Sequence, residues 1–398
     1  MIARQEYLDN LIGFKDTEII KVVTGIRRCG KSTLLEMYQE YLRQQGVEAE
    51  QIIAINLEDG EWAEIVDSRE LYETVKARLQ PDKMNYIFLD EVQRVNNFQK
   101  AVDSLFIKKN CDLYLTGSNA YLLSGELATL LAGRYVEIKM LPLSFKEYVS
   151  AFPADSNIDR LYQNYLQNSS FPYTLQLQRP REIRQYLASI YDSIVLKDII
   201  ARRRFPDLEM LQSVIRFLFD NIGNLCSTKK IADTMTAAGR KITVHTVENY
   251  LSALTDSFIF YKVGRYDVKG RQYLKTGDKY YAADLGLRYS VLGTKKADAG
   301  HILENIVYLE LRRRGYEVYI GKVGTAEIDF IAVGEEGSEY YQVAYTVRDA
   351  DGQTLARELA PLEAVADHNP KYLLTMDHEP LTSHNGIKQL NVLDWLLS

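Results

Sequence analysis

Residues 25–33 carry the pattern that most constrains what this chain can fold into. They read GIRRCGKST, in which 25–32 match GxxxxGK[ST]; an apolar, β-branched run at 19–23 comes before them, and a helical pattern at 31–45 begins at their end. Glycines at this spacing let backbone N–H groups converge on phosphate oxygens, and the following helix presents its positive amino terminus to them. The pattern therefore predicts a buried strand, a phosphate-binding loop and a helix, as in a nucleoside triphosphatase.

The chemistry of the loop assigns roles to its side chains. Lys31 is expected to reach the β- and γ-phosphates, and Ser32 to ligate Mg²⁺, so the expected cofactors are ATP and Mg²⁺. The residues expected to bind the nucleotide are Gly25, Arg28, Cys29, Gly30, Lys31, Ser32 and Thr33. Glycine-bounded loops also precede helices in proteins that bind no ligand, and a phosphate loop alone does not hydrolyse nucleotide.

A second acidic site follows an apolar run at 86–89, which ends in Asp90 and Glu91. Asp90 is placed to hold Mg²⁺ through water, and Glu91 to orient or deprotonate the attacking water. Acidic pairs after strands are often only structural. A predicted strand at 51–56 and helix at 69–79 separate this pair from the loop, and that order makes the catalytic interpretation more specific.

A third predicted strand at 111–116 ends in Gly117, Ser118 and Asn119. A polar side chain there can contact the γ-phosphate and the attacking water, so Asn119 is a candidate catalytic residue. The alternative is that Ser118 or Asn119 caps the next helix.

Several segments together resemble the AAA+ superfamily of ATPases, and more closely a bacterial and archaeal family with a C-terminal domain of the DUF4143 type. The segments are GIRRCGKST, YIFLDEVQRV, LYLTGSNAYLLSGELATLLAGRYVEIKMLPLSFKEY, TVENYLSALTDSFIFYKVGRYD, KYYAADLGLR, HILENIVYLELRRRGYEVYIGK and EIDFIAV. The resemblance implies an α/β fold: a P-loop AAA+ parallel-sheet sandwich, a helical and winged-helix region, and a C-terminal α/β domain. It also implies that Arg134 offers a guanidinium to a γ-phosphate, in cis or in a neighbouring subunit of a homo-oligomer. The alternative is that Arg134 pairs with an acid and begins the strand at 135–138.

The length of 398 residues is sufficient for two or three domains. We expect an ATPase domain at 1–150, a helical and winged-helix region at 151–290 and a third domain at 291–398. The three cysteines are far apart and match neither a disulfide framework nor a metal site, which favours a reducing compartment. No apolar leader or membrane-length run occurs, so we expect a soluble, cytoplasmic protein without a membrane partner.

The middle of the chain is the basic part. Residues 180–275 carry 16 basic and 10 acidic side chains, whereas 300–398 carry 8 and 16. Two predicted short helices at 227–232 and 243–251, then strands at 259–266 and 272–275, form a winged helix-turn-helix pattern. Its second helix would present Thr246, Asn249 and Lys241 to double-stranded DNA, although winged helices also serve as packing modules and Glu248 is unfavourable near phosphate. Arg202, Arg203 and Arg204 are a second candidate for DNA contact, and a basic helix end explains them equally well.

The C-terminal segment has the order helix, three strands, helix, strand, which resembles the PD-(D/E)XK nuclease fold. Glu304 would lie on the first helix and Asp329 on the second strand. The acid and lysine that an active site needs on the third strand are replaced by Gln342 and Ala344. We therefore expect a domain without nuclease activity that packs or binds a protein partner. Glu304, Glu327 and Asp329 are either a vestigial metal site or polar residues satisfied within the fold.

Three function classes remain after these observations. The first is an ATPase whose hydrolysis cycle moves a DNA-binding winged helix, and the second is a nucleotide-switched signalling or scaffold protein that binds other proteins. The third is an ATP-dependent nuclease. The basic middle segment favours the first class, and Gln342 and Ala344 argue against the third.

Overall fold

The computed structural model describes residues 2–118, 120, 131, 133–200, 205, 207–270, 272–293, 299–349, 352–378 and 381–398. The chain divides into two compact units, Met1–Pro142 with Asp256–Phe258, and Leu143–Thr255 with Ile259–Ser398. Asn119 and the arginines at 202–204 lie outside the described residues. No described helix is long and apolar enough to cross a membrane.

The first unit alternates strands and helices. Its described elements are α1 (Gln5–Gly13), β1 (Ile20–Thr24), α2 (Lys31–Gln44), β2 (Ile52–Asn56), α3 (Ser68–Lys76), β3 (Asn85–Asp90), α4 (Phe98–Phe106), β4 (Cys111–Gly117) and β5 (Tyr135–Lys139). The predicted strands and helices occur here, with ends that differ by a few residues.

These strands form a parallel sheet in the order β2-β3-β4-β1-β5. β1 and β3 are buried along their whole length because helices cover both faces of a parallel sheet, and their near-continuous apolar sequences suit that environment. The α/β parallel-sheet fold expected from the sequence is confirmed. Asp67 caps α3 by accepting hydrogen bonds from the N–H groups of Arg69 and Glu70, which fixes where that helix begins.

A buried ion pair lies inside this unit. Lys21 on β1 pairs with Asp112 on β4, and both side chains are almost wholly buried. Asp112 also accepts a hydrogen bond of 2.7 Å from the hydroxyl of Tyr114, which lies 2.9 Å from the hydroxyl of Tyr38. The network satisfies polar groups that would be costly to bury alone.

The second unit begins with helices and ends in a mixed sheet. Its described elements are α5 (Phe145–Val149), α6 (Ile158–Asn168), α7 (Pro180–Ser193), α8 (Leu208–Asp220), α9 (Thr228–Ala237), α10 (Val244–Asp256), β6 (Phe260–Asp267), β7 (Gln272–Ala282), α11 (Leu285–Leu292), α12 (Ala299–Arg313), β8 (Glu317–Val323), β9 (Ala326–Gly334), β10 (Gly337–Ala344), α13 (Gln353–Glu363), β11 (Lys371–Thr375), β12 (Thr382–His384), β13 (Ile387–Asn391) and α14 (Val392–Leu397). The last residue of α10, Asp256, is grouped with the first unit.

The described strands of this unit form one eight-stranded sheet in the order β12-β13-β11-β10-β9-β8-β6-β7. β6 pairs in parallel with β8 through Arg265–Asp267, so the β6–β7 hairpin belongs to the same sheet as β8–β11. The expected domain boundary at 290–291 therefore falls inside one compact unit rather than between two. Before the strands, α7 ends at Ser193 and Ile194–Ile200 continues as a π-helix.

Candidate nucleotide-binding site

The candidate site lies at the edge of the first sheet where its parallel strands end. β1 and β4 pair with Thr24 opposite Gly117, and β3 pairs with β4 with Leu89 opposite Leu115. The loop after β1, the acids at the end of β3 and Ser118 after β4 therefore lie along one edge. Ligands of open α/β sheets bind at such carboxyl edges, where the strand order reverses.

The backbone of the loop requires glycine at Gly25. Its φ is +152°, and a Cβ atom there would lie 2.1 Å from the carbonyl oxygen of Met140. Gly30, with φ of 106°, is the cap residue in front of α2. Arg28 also has a positive φ of 68° although it carries a side chain, and such local strain is typical of functional loops.

Lys31 is buried and folds back over the loop. Its Nζ donates hydrogen bonds to the carbonyl oxygens of Gly25 (3.0 Å) and Ile26 (3.3 Å). The next side chain, Ser32, is exposed at the first turn of α2, and Thr33 is half-buried. The Cys29 side chain is buried, and this burial raises the pKa of its thiol, which keeps it protonated; its contribution to nucleotide binding would come from the backbone.

The acidic pair lies beside Lys31. Asp90 and Glu91 are both largely buried, and a carboxylate oxygen of Glu91 is 3.9 Å from Lys31 Nζ. The Thr116 hydroxyl donates a hydrogen bond to Asp90 and accepts one of 2.9 Å from the backbone N–H of Glu91. Glu91 has a φ of 54°, so this contact holds a strained backbone in place.

Three residues that the sequence analysis did not select support the site. Thr116 organises the acidic pair as described, and the Gln93 side-chain amide donates a hydrogen bond of 2.5 Å to Glu91. The buried guanidinium of Arg4 donates to the carbonyl oxygens of Cys29 (3.0 Å) and Leu141 (2.7 Å), which anchors the loop from behind. No sequence pattern marks Arg4, because its partners are 25 and 137 residues away.

A further carboxylate contributes to the electrostatics of the loop. Burial raises the pKa of Glu58, but Arg27 and Arg94 outweigh it, so the net pKa lies below its ordinary value. The Arg94 contact is 2.7 Å and the Arg27 contact 3.4 Å. Glu58 therefore stays ionised and pairs with Arg27 of the loop.

Arg134 lies at the opposite edge of the sheet. Because β1 and β5 are parallel with Ile20 opposite Tyr135, Arg134 precedes the strand while the phosphate loop follows it. Five residues of strand separate the two edges, about 15 Å. The structure therefore contradicts an action of Arg134 on the nucleotide of its own chain, and it pairs Arg134 with Asp103 at 2.6 Å.

The second unit contains the acidic cluster expected from the nuclease-like pattern. Lys279 of β7, 3% exposed, lies 2.8 Å from Glu304 on α12 and 2.8 Å from Glu327 on β9. Burial lowers the pKa of Lys279, but these carboxylates and Asp329 outweigh it and hold it above the ordinary value. Burial, and then Glu304, raises the pKa of Asp329. Glu304 and Glu327 are thus satisfied by a lysine, and no group of three or more metal-ligating side chains occurs among the described residues.

The residues expected to contact DNA lie on and before α10. Lys241 is exposed, and Thr246 and Asn249 are half-buried. The Thr246 hydroxyl lies 2.8 Å from that of Thr243, and Asn249 lies 3.4 Å from His245. Glu248 is 55% exposed on the same helix.

The first unit fits a nucleotide with Mg²⁺. The close approach of Gly25 to Met140 keeps the loop narrow, and the Lys31 ammonium is held by carbonyl oxygens that a phosphate could replace. Ser32 and Asp90 supply oxygen ligands of the type that Mg²⁺ prefers, and Mg²⁺ commonly takes only one or two protein ligands beside substrate phosphates.

Known proteins resemble the chain over its whole length. Residues 17–149 match the AAA domain family, and residues 159–298 match a domain of unknown function, DUF8612. An uncharacterized protein of Haemophilus influenzae is 43% identical over 401 residues, which cover 100% of this chain and 99% of the relative. The chain belongs to the family of this Haemophilus protein. The AAA domain match falls mainly in the first unit, as expected.

Two further relatives are more distant. An uncharacterized protein of Methanocaldococcus jannaschii is 28% identical over 349 residues, which cover 83% of this chain and 76% of the relative. A Walker-type ATPase of Pyrococcus abyssi has a similar fold, with a TM-score of 0.50 and 16% identity over 73% of this chain and 96% of that one. DUF8612 is a different domain from the DUF4143 expected at 291–398, and its match ends at residue 298.

Replacing Lys31 with alanine should weaken ATP binding more than tenfold, about 1.4 kcal/mol, because a charged phosphate contact is lost. Isothermal titration calorimetry with Mg-ATP measures the affinity. Lys100→Ala, which removes an exposed lysine elsewhere in the same unit, serves as the matched control. Equal affinity of folded Lys31→Ala and wild-type protein would contradict the assignment of the loop.

Proposed function

We propose that this protein is a Mg²⁺-dependent ATPase whose nucleotide cycle controls a DNA-binding winged helix in residues 180–275. The observation that carries the ATPase proposal is the 3.9 Å approach of Glu91 to Lys31 at the carboxyl edge of the sheet. A cation that can bind phosphate, Lys31, and a carboxylate that can act as a general base for water, Glu91, are then neighbours. Hydrolysis requires both.

Each residue has a distinct role in this proposal. Lys31 and the loop N–H groups bind the β- and γ-phosphates, and Ser32 and Asp90 hold Mg²⁺. The bound metal neutralises charge on the phosphate oxygens. Glu91 orients and deprotonates the attacking water. Thr116 positions both acids, through its hydrogen bonds with the backbone N–H of Glu91 and the carboxylate of Asp90.

Arg134 and Asn119 complete the proposed catalytic set. The guanidinium of Arg134 is 47% exposed at the amino edge of the sheet, from which it would act on the γ-phosphate of a neighbouring subunit in a homo-oligomer. Asn119, which follows β4 in the sequence, would contact the γ-phosphate.

Glu91→Gln should bind ATP like the wild type and hydrolyse it at least ~100-fold more slowly, because the amide cannot accept a proton from water. Phosphate release and ATP affinity are measured on the same preparation. Glu61→Gln, which neutralises an exposed acid of the same unit, is the control. If Glu91→Gln hydrolyses ATP at the wild-type rate, another group acts as the general base for the attacking water.

The order of elements supports the winged-helix proposal. The described part of this region runs α8, α9, α10, then the β6–β7 hairpin, and an isolated antiparallel bridge joins Cys226, just before α9, to Asp278 on β7. A winged helix has the same arrangement, with the hairpin as its wing. α9 begins at its cap Ser227, whose hydroxyl accepts a hydrogen bond from the Lys230 N–H.

DNA is favoured as the partner because basic side chains outnumber acidic ones by 6 in residues 180–275. Lys241, Thr246 and Asn249 would contact the groove from α10 and its start. The exposed Glu248 beside His245 favours the second candidate function, a nucleotide-switched protein that binds other proteins. An ATPase assay with and without double-stranded DNA separates the two.

Double-stranded DNA at low salt should raise the ATPase rate, and its binding should weaken as salt increases, because lysine and arginine displace counterions from the backbone. Lys241→Glu should weaken binding measured by fluorescence anisotropy. Lys76→Glu, a charge reversal at an exposed position of the first unit, is the matched control. If neither the ATPase rate nor the fluorescence anisotropy changes when DNA and protein are mixed, the protein-binding alternative is favoured.

The C-terminal part is proposed as a nuclease-like α/β domain without nuclease activity that binds a protein partner. α12, β8, β9, β10, α13 and β11 follow the order predicted from the sequence. Gln342 of β10 accepts a hydrogen bond of 3.3 Å from the Asp329 N–H and donates one of 2.9 Å to Glu358, so it acts as a structural amide. Lys279 lies where a metal would otherwise have to neutralise Glu304 and Glu327.

Purified protein incubated with plasmid DNA, Mg²⁺ or Mn²⁺ and ATP should leave the DNA intact, since half of the metal-binding shell is missing. Agarose electrophoresis reports nicking and linearisation. Asp329→Ala is the control for contaminating nucleases. Cleavage by the wild type that disappears in Asp329→Ala would establish the third function class instead.

A further inference from the structure

We propose that Gln93 is the positioning residue for the carboxylate of Glu91, and this inference rests on the proposed ATPase activity. The side-chain Nε2 of Gln93 donates a hydrogen bond of 2.5 Å to Oε2 of Glu91. The two residues are separated by one position at the start of a short 3-10 turn, Val92–Arg94, that follows β3. Gln93 therefore contacts the proposed base from the turn that directly follows it.

The backbone of Glu91 does not by itself orient its carboxylate. Thr116 fixes the N–H of Glu91, but rotatable side-chain bonds separate that atom from the carboxylate oxygens. Lys31 attracts the carboxylate from 3.9 Å, which is longer than a hydrogen bond. Among the described residues, Gln93 is the side chain that donates a hydrogen bond to it.

The chemistry of the contact fixes which end of the Gln93 amide faces Glu91. An ionised carboxylate only accepts hydrogen bonds, so the NH₂ group must point toward it and the carbonyl must point away. Oε1 of Gln93 is buried without a hydrogen-bond partner among the described residues. Leaving this buried acceptor unpaired is unfavourable. The amide keeps this orientation nevertheless, because its NH₂ group donates a hydrogen bond to Glu91.

The hydrogen bond from Gln93 to Glu91 remains when Lys31 turns from Glu91 to the phosphates of bound ATP. Once Lys31 binds phosphate oxygens, its attraction for Glu91 is shared with a highly charged ligand. Gln93 is neutral and has no charge to engage the phosphates. Its hydrogen bond therefore holds the carboxylate in one orientation while water attacks the γ-phosphate, and a small misplacement of such a group lowers the rate strongly.

A double-mutant cycle tests this role. We compare kcat and the ATP dissociation constant for the wild type, Gln93→Ala, Glu91→Gln and the double variant. Gln93→Ala should lower kcat by about 10- to 100-fold with little change in ATP affinity. In the Glu91→Gln background the same substitution should change kcat by less than about twofold, because a residue that acts through Glu91 has nothing left to position.

Two further variants separate the hydrogen bond from packing. Gln93→Glu keeps the side-chain shape and removes the donor, so its kcat should fall at least as far as that of Gln93→Ala. Gln45→Ala, at an exposed glutamine after α2, should behave like the wild type. Native kcat in Gln93→Ala, or an equal loss in both backgrounds, would overturn the inference, whereas a wild type that binds ATP without hydrolysing it would refute the ATPase proposal itself.

Discussion

Parallel pairing of β4 with β1 on one side and with β3 on the other is the constraint on which the candidate site depends. The pairing brings the loop after β1 and the acids after β3 to one edge of the sheet, although they are far apart in the chain. Thr116 within β4 then bonds both acids, donating to Asp90 and accepting from the N–H of Glu91. A register shift of one residue would turn Thr116 to the other face of the sheet and break both contacts.

The two units neutralise their buried lysines differently. In the first unit Lys21 has one buried partner, Asp112; burial lowers the pKa of Lys21, and the carboxylates of Asp112 and Asp16 do not fully compensate. In the second unit Glu304, Asp329 and Glu327 together outweigh burial, and the pKa of Lys279 is raised. Loss of one partner from such a pair is destabilising because the other charge remains buried. The cluster around Lys279 therefore fixes how β7, α12 and β9 pack.

Sequence reasoning is most informative where the pattern is local in the chain. The phosphate loop, the acids at Asp90 and Glu91 and the strands of the first sheet follow from spacing and apolar runs, and the AAA domain match confirms the family expected for this part. The roles of Arg4 and Lys279 were not predicted, because their partners are 25 or more residues away in the chain and only the fold reveals such contacts. Arg134 could be placed on a strand from the sequence, but which edge it occupies depends on the parallel pairing of β5 with β1. The strand predicted at 272–275 is also longer than expected, because β7 continues for seven residues to Ala282.

The ammonium of Lys279 has a mechanical consequence. It ties β7 to α12 and β9 through the carboxylates of Glu304 and Glu327, each 2.8 Å away. Between Leu274 and Lys279 the pairing of β7 with β6 shifts register, and Gly277 there has a φ of 85°. Such an irregularity bends a strand, so a force applied at the hairpin turn is taken up at this point, and the part of β7 that carries the ammonium stays clamped to the helix and the strand.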